Sequence, residues 1–129
     1  MRAVDTNVVV RYLTADDPRQ FALAVAVVEG TDTFVGVTVL LEAEWVLRGI
    51  YRFPTGPVVE ALRGLAGLPR VTVEDAPLVA LALQWTERGL DFADALHLAR
   101  AQFCEAFLTF DEDMTRRGAS LSAIPLQLP

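Results

Sequence analysis

Apolar residues recur at Leu40, Ala43, Leu47 and Ile50. Spacings of three and four give a helix one buried stripe, and predict a helix over Thr38–Tyr51. Other stretches show β-branched apolar runs too short for helices. Arg2–Val4, Thr33–Val37, Val71–Val73, Ala106–Phe110 and Ile124–Leu128 therefore read as strands. The polar punctuation places further helices. Asp5-Thr6 caps a helix over Thr6–Leu13, and Asp17 followed by Pro18 starts one that runs to Glu29 and stops at Gly30. Phe53-Pro54-Thr55-Gly56-Pro57 is a break, and Val58–Ala66 a weaker helix after it. Asp75, with Pro77 behind it, caps a helix that runs to Arg88 and stops at Gly89; Asp91 caps one over Phe92–Gln102, and Glu112–Arg117 is a short last helix. Strands alternate with helices throughout. The expected fold class is α/β, three layers, with a mostly parallel central sheet and helices on both faces. At 129 residues the chain is expected to form one domain, residues 1–129.

Composition narrows the function. The chain has 17 acids and 11 bases, a net charge of −6, and every base is arginine. Without lysine there is no P-loop, no kinase strand lysine and no Schiff base. A receiver-type phospho-acceptor domain is excluded for the same reason. A single cysteine, Cys104, offers neither an internal disulfide nor a cysteine metal site, and reads as a small core residue. The longest uncharged apolar runs, Phe21–Val28 and Ala76–Leu83, are far shorter than the roughly 20 residues of a membrane span. Asp5 interrupts any leader-like apolar opening, so a cytoplasmic location is expected. With 53% hydrophobic residues, exposed apolar surface is expected, favouring a dimer or another bound partner.

Ligands of parallel α/β sheets bind beyond the carboxyl ends of the strands. Asp5 ends the first predicted strand and Asp111 the fourth; Glu42 lies early in the helix after the second strand, and Asp94 in the first turn after Asp91. These four can converge on one crevice. Clustered carboxylates repel unless a cation joins them, and oxygen-only ligation points to Mg²⁺ or Mn²⁺. Such ions serve phosphodiester hydrolysis by activating water and neutralising developing charge. Asp5 and Asp111 could equally be helix N-caps, and Asp94 could simply favour the helix dipole. Glu44 has Arg48 at i+4 and is assigned to the surface, whereas Glu42 has no basic helical neighbour and, lying near the buried edge of its helix, needs an outside partner. Glu112, with Arg116 at i+4, is also a surface residue; Asp113, two residues from Asp111, stays in the supporting set with Thr6 and Asn7, which could orient Asp5 or a water. His97 reads as a packed or hydrogen-bonded helix residue, and Trp45 and Trp85 as packing. Arg11, Arg48, Arg52 and Arg100 are candidates for phosphate contacts.

Four segments together resemble a known family. Asp5-Thr6-Asn7-Val8-Val9-Val10-Arg11-Tyr12-Leu13 resembles the opening of PIN-domain ribonucleases of the VapC toxin type. Leu41-Glu42-Ala43-Glu44-Trp45-Val46-Leu47-Arg48 resembles their second motif, Asp91 to Ala99 the third, and Leu108-Thr109-Phe110-Asp111-Glu112-Asp113 the fourth. The resemblance implies a metal-dependent endoribonuclease in which Asp5, Glu42, Asp94 and Asp111 hold Mg²⁺ or Mn²⁺. Asp113 matches an extra acid of some members, and Thr6 a supporting hydroxyl. It further implies cleavage of RNA to a 5′-phosphate and a 3′-hydroxyl, homodimerisation, and inhibition by an antitoxin protein, with DNA reached only through that antitoxin.

Two rival readings remain at this level. An acidic groove could bind an arginine-rich peptide and catalyse nothing. A haloacid-dehalogenase-type phosphatase with Asp5 as nucleophile is disfavoured, because residue 7 is Asn where that chemistry wants a second Asp, and because lysine is absent.

Overall fold

The computed structural model describes all 129 residues. They form two compact units, Met1–Ala76 and Pro77–Pro129, each described by itself.

The first unit is built on a parallel sheet in the order β1-β2-β3, from Arg2–Ala3, Thr33–Val35 and Val71–Val73. Thr33 is the register point: it faces Arg2 in β1 and Val71 in β3. Four helices accompany the sheet: α1 (Thr6–Thr14), α2 (Pro18–Val28), α3 (Val37–Trp45) and α4 (Thr55–Ala66). Helix α1 packs on α2 and α3, and α4 packs on β3. Asp5 and Asp17 cap α1 and α2 with their side chains, and Pro18 opens α2 where its missing N–H costs nothing. Val9, Val28, Val35 and Ala43 are fully buried.

Three local differences from the expected elements have simple causes. The predicted helix over Thr38–Tyr51 is α helical only to Trp45; Val46–Ile50 continues it as a π turn, in which Tyr51 N–H bonds to the Val46 carbonyl. The extra residue breaks the phase of the stripe: Leu40, Ala43 and Leu47 are buried, but Ile50 is exposed. Helix α4 starts at Thr55 instead of Val58, since Pro57 in its first turn removes only an N–H that has no helical partner anyway. Asp75 is not an extended N-cap; its φ is 48°, in the left-handed region.

The second unit holds α5 (Ala76–Glu87, all but its first residue), α6 (Phe92–Arg100) and α7 (Glu112–Gly118), with a parallel pair of strands, β4 (Phe107–Leu108) and β5 (Leu126–Gln127). Its buried side chains include Leu83, Trp85, Phe92 and Leu98. Gly118 lies close under Leu126 and Leu98: a Cβ there would stand 3.0 Å from one and 3.2 Å from the other. All strand pairing in the chain is parallel, but it forms a three-stranded and a two-stranded ladder, where one central sheet was expected. The strands are also shorter than expected, so Asp5 and Asp111 lie beyond the strand ends, in the turns that start α1 and α7. No helix is long and apolar enough to cross a membrane.

Candidate metal centre

In the first unit, Asp5, Thr6, Asn7, Thr38, Val39 and Glu42 line one open cavity of about 350 Å³. It sits beyond the carboxyl ends of β1 and β2, as the topology requires of a ligand site. Asp5 reaches it as the N-cap of α1. Its Oδ1 accepts the Val8 N–H at 3.2 Å, leaving Oδ2 without a hydrogen bond. The alternative of cap or ligand is thus not exclusive, because capping uses one oxygen of two. Glu42 projects from the middle of α3, is exposed, and has neither an ion pair nor a hydrogen bond. Thr38 and Val39 are the cavity residues that sequence reasoning missed. A hydroxyl one helical turn before Glu42 was the available signal for Thr38; Val39 gave none.

Two residues from Glu42, the arrangement is reversed. Arg48 Nε donates to Glu44 Oε2 at 2.9 Å, and its Nη2 donates to Oε1 at 3.3 Å. The predicted pair is present, but Glu44 is only 3% exposed, so its assignment to the surface was wrong. A carboxylate can be buried there because the guanidinium satisfies both of its oxygens. Glu42, expected near the buried edge, is on the surface.

In the second unit, Asp91 caps α6 by accepting the Ala93 and Asp94 N–H groups. Asp94 is half-buried in the first turn, with no hydrogen bond to its carboxylate. Burial holds its carboxyl above the ordinary aspartate value; the charges of Asp91 and Asp111 push the same way, and His97 opposes them. Asp94 and Asp111 therefore act on one another electrostatically. Asp91, read from the sequence as a cap alone, contributes to the same negative field. Asp111 caps α7 through Oδ1, which accepts the Met114 N–H at 3.0 Å. Asp113 differs: Arg116 and Arg117 both donate to its carboxylate. The expected Glu112–Arg116 pair is absent, because Arg116 turns to Asp113.

Asp5, Glu42, Asp94 and Asp111 share one property: none is paired with an arginine. Elsewhere Asp16, Asp32, Glu44, Glu60 and Asp113 all have arginine partners. Among the arginines proposed for phosphate, Arg11 is bound to Gln20, Asp16 and Tyr51, and Arg48 to Glu44. Arg52 is exposed without a partner. No group of three or more His, Cys, Asp or Glu side chains is arranged to hold a metal ion. Each unit nevertheless offers a pair of acids with free carboxylate oxygens, the donor chemistry that suits a hard divalent cation. Trp85 is packed as expected, whereas Trp45 is 55% exposed and Cys104 only half-buried.

The chain belongs to the PIN domain family, which matches it over residues 2–119. PIN domains have a three-layer α/β fold and are generally nucleases that use divalent metals. A search of curated proteins found no significant match.

Proposed function

We propose that the chain is a divalent-metal-dependent endoribonuclease and the toxin of a toxin–antitoxin pair. The observation that carries the nuclease reading is the unpaired state of Asp5, Glu42, Asp94 and Asp111 in a PIN domain that neutralises many of its other acids with arginine. Uncompensated carboxylates cost stability through repulsion and desolvation, and a cation removes that cost. Asp5 and Asp111 would each hold Mg²⁺ or Mn²⁺ through the oxygen left free by capping, Asp94 through its unbonded carboxylate, and Glu42 as a ligand or by orienting the attacking water. Thr6 and Asn7 support Asp5 from the same cavity wall. Asp113, already doubly paired, serves by anchoring the first turn of α7 behind Asp111. When bound, the ion supplies an activated water and neutralises charge on the phosphodiester.

A groove between α1 and α2 supports the partner half of the reading. It is about 300 Å³, with an apolar floor of Val8, Leu23, Ala24 and Val27 and a polar rim of Asn7, Arg11 and Gln20. An amphipathic antitoxin segment fits that chemistry. Homodimerisation would cover other exposed apolar residues, such as Phe103 and Phe110. The test is cleavage of structured and single-stranded RNA with Mg²⁺ or Mn²⁺, comparing the parent with Glu42→Gln. Metal-dependent cleavage that the variant loses is the expected result. Tight binding of an arginine-rich peptide with no cleavage of any RNA would favour the non-catalytic alternative.

A further inference from the structure

We infer that Trp45 is a stacking platform for a base of the RNA, beside the catalytic acids; the inference rests on the nuclease reading above. Trp45 follows Glu42 by three positions on α3, and residues so spaced are neighbours on a helix surface, with Cβ atoms roughly 5–6 Å apart. The ring is not part of the core: the residue is 55% exposed and its indole N–H has no hydrogen-bond partner. Nor is it loose. The indole lies across Gly49, where a Cβ would stand 3.6 Å from ring atom Cε2. Glycine at 49 thus lets one side of the ring rest close to the backbone.

The surroundings favour nucleic acid as the occupant. Single-stranded nucleic acids are bound by aromatic faces combined with cationic side chains. The segment following the ring carries Arg52, whose guanidinium is exposed and unpartnered in a chain where arginine is the only strong cation. Arg52 is held at φ 60°, a left-handed conformation uncommon outside glycine. Tyr51, by contrast, is committed to Asp16 and Arg11 and is not available for stacking. A base laid on Trp45 would place its own phosphate within about one nucleotide of Glu42. The platform would accept any base, since every base has a π face, and would select single strands over duplex.

The experiment measures binding and turnover separately. Binding is read from tryptophan fluorescence on titrating a ten-nucleotide single-stranded RNA into Glu42→Gln protein, which prevents cleavage. It is repeated with Trp45→Ala and Trp45→Phe added, and with an RNA duplex. Cleavage kinetics are measured with Glu42 intact. The expected result is quenching that disappears with Trp45, a Kd and KM raised about tenfold or more by Trp45→Ala with kcat nearly unchanged, partial rescue by Trp45→Phe, and weaker binding of duplex. Unchanged Kd and KM in Trp45→Ala, while the parent cleaves RNA, would overturn the platform and leave the nuclease reading intact. A parent that neither binds nor cleaves RNA would overturn both. Loss of a dimer in Trp45→Ala, seen by sedimentation, with single-strand affinity unchanged, would assign the ring to a contact between copies instead.

Discussion

Glu42 and Glu44 stand two positions apart on α3 and are chemically opposite: Glu44 is buried and held by both arms of Arg48, whereas Glu42 is exposed and holds nothing. Conservative substitutions should separate them. Glu42→Gln should lower cleavage by orders of magnitude and leave the melting temperature almost unchanged. Glu44→Gln should keep much of the activity but destabilise the fold by about 2 kcal/mol, since charge-assisted hydrogen bonds in a buried site are lost. Arg48 is itself 39% exposed in its side chain, which keeps the loss below that of a fully buried pair. Thermal melts and cleavage rates of both variants check this; equal activity losses would remove the distinction.

Asp94 sits in a field of like charge from Asp91 and Asp111 without a hydrogen bond to offset it. Asp94→Asn keeps the shape and removes the repulsion. The metal-free variant should melt a few degrees above the parent, while Mn²⁺, which should raise the parent's melting temperature as any native-state ligand does, should raise the variant's by less. A parent melting curve that millimolar Mn²⁺ leaves in place would dismiss the metal site.

A third prediction concerns pH. The Tyr51 hydroxyl donates to Asp16 Oδ2 at 2.6 Å, and with help from Thr14 and Arg11 it holds the Asp16 carboxyl below the ordinary aspartate value. A depressed folded value means that the stabilisation is present above the unfolded pKa, about 3.9, and is lost as pH falls through the folded one. Tyr51→Phe should move the Asp16 titration upward when followed by NMR. It should also reduce the part of stability lost in acid. An Asp16 midpoint unchanged in that variant would assign the depression to Arg11 instead.

Leu23 is 60% exposed in the α1–α2 groove, so replacing it costs the fold little. Leu23→Glu should preserve cleavage and weaken inhibition by an antitoxin tenfold or more. If part of that inhibition comes from an arginine of the antitoxin at Asp5, it should also weaken as Mg²⁺ rises, because both neutralise the same carboxylate. Inhibition assays across a Mg²⁺ titration measure both effects.

Local signals in the sequence were legible where they rest on local chemistry. Asp17-Pro18, Val71–Val73 and the Glu44–Arg48 pair all stand where pattern and spacing put them. The acids on candidate strand ends were legible too, although the ladders are short and the acids prove to be caps. What failed needed tertiary information. Burial of Glu44 depends on how Arg48 folds over it, which composition does not reveal. Exposure of Trp45 depends on the face that α3 turns to solvent. The left-handed backbone of Asp75 was invisible because aspartate before a helix ordinarily signals an extended cap.

The π turn at Val46–Ile50 carries a consequence for how this chain tolerates change in length. A π turn is an α-helix that has accepted one residue too many. Deleting any one residue from 46 to 50 would restore regular geometry and rotate everything beyond it by roughly 100°. Tyr51 would then swing away from Asp16 and Arg11, and the contact between this helix end and the α1–α2 pair would be lost. A deletion that improves the helix locally should therefore weaken the unit. Helix register, independent of residue type, is thus a heritable trait of this segment, and drift in its length should be more harmful than drift in its composition.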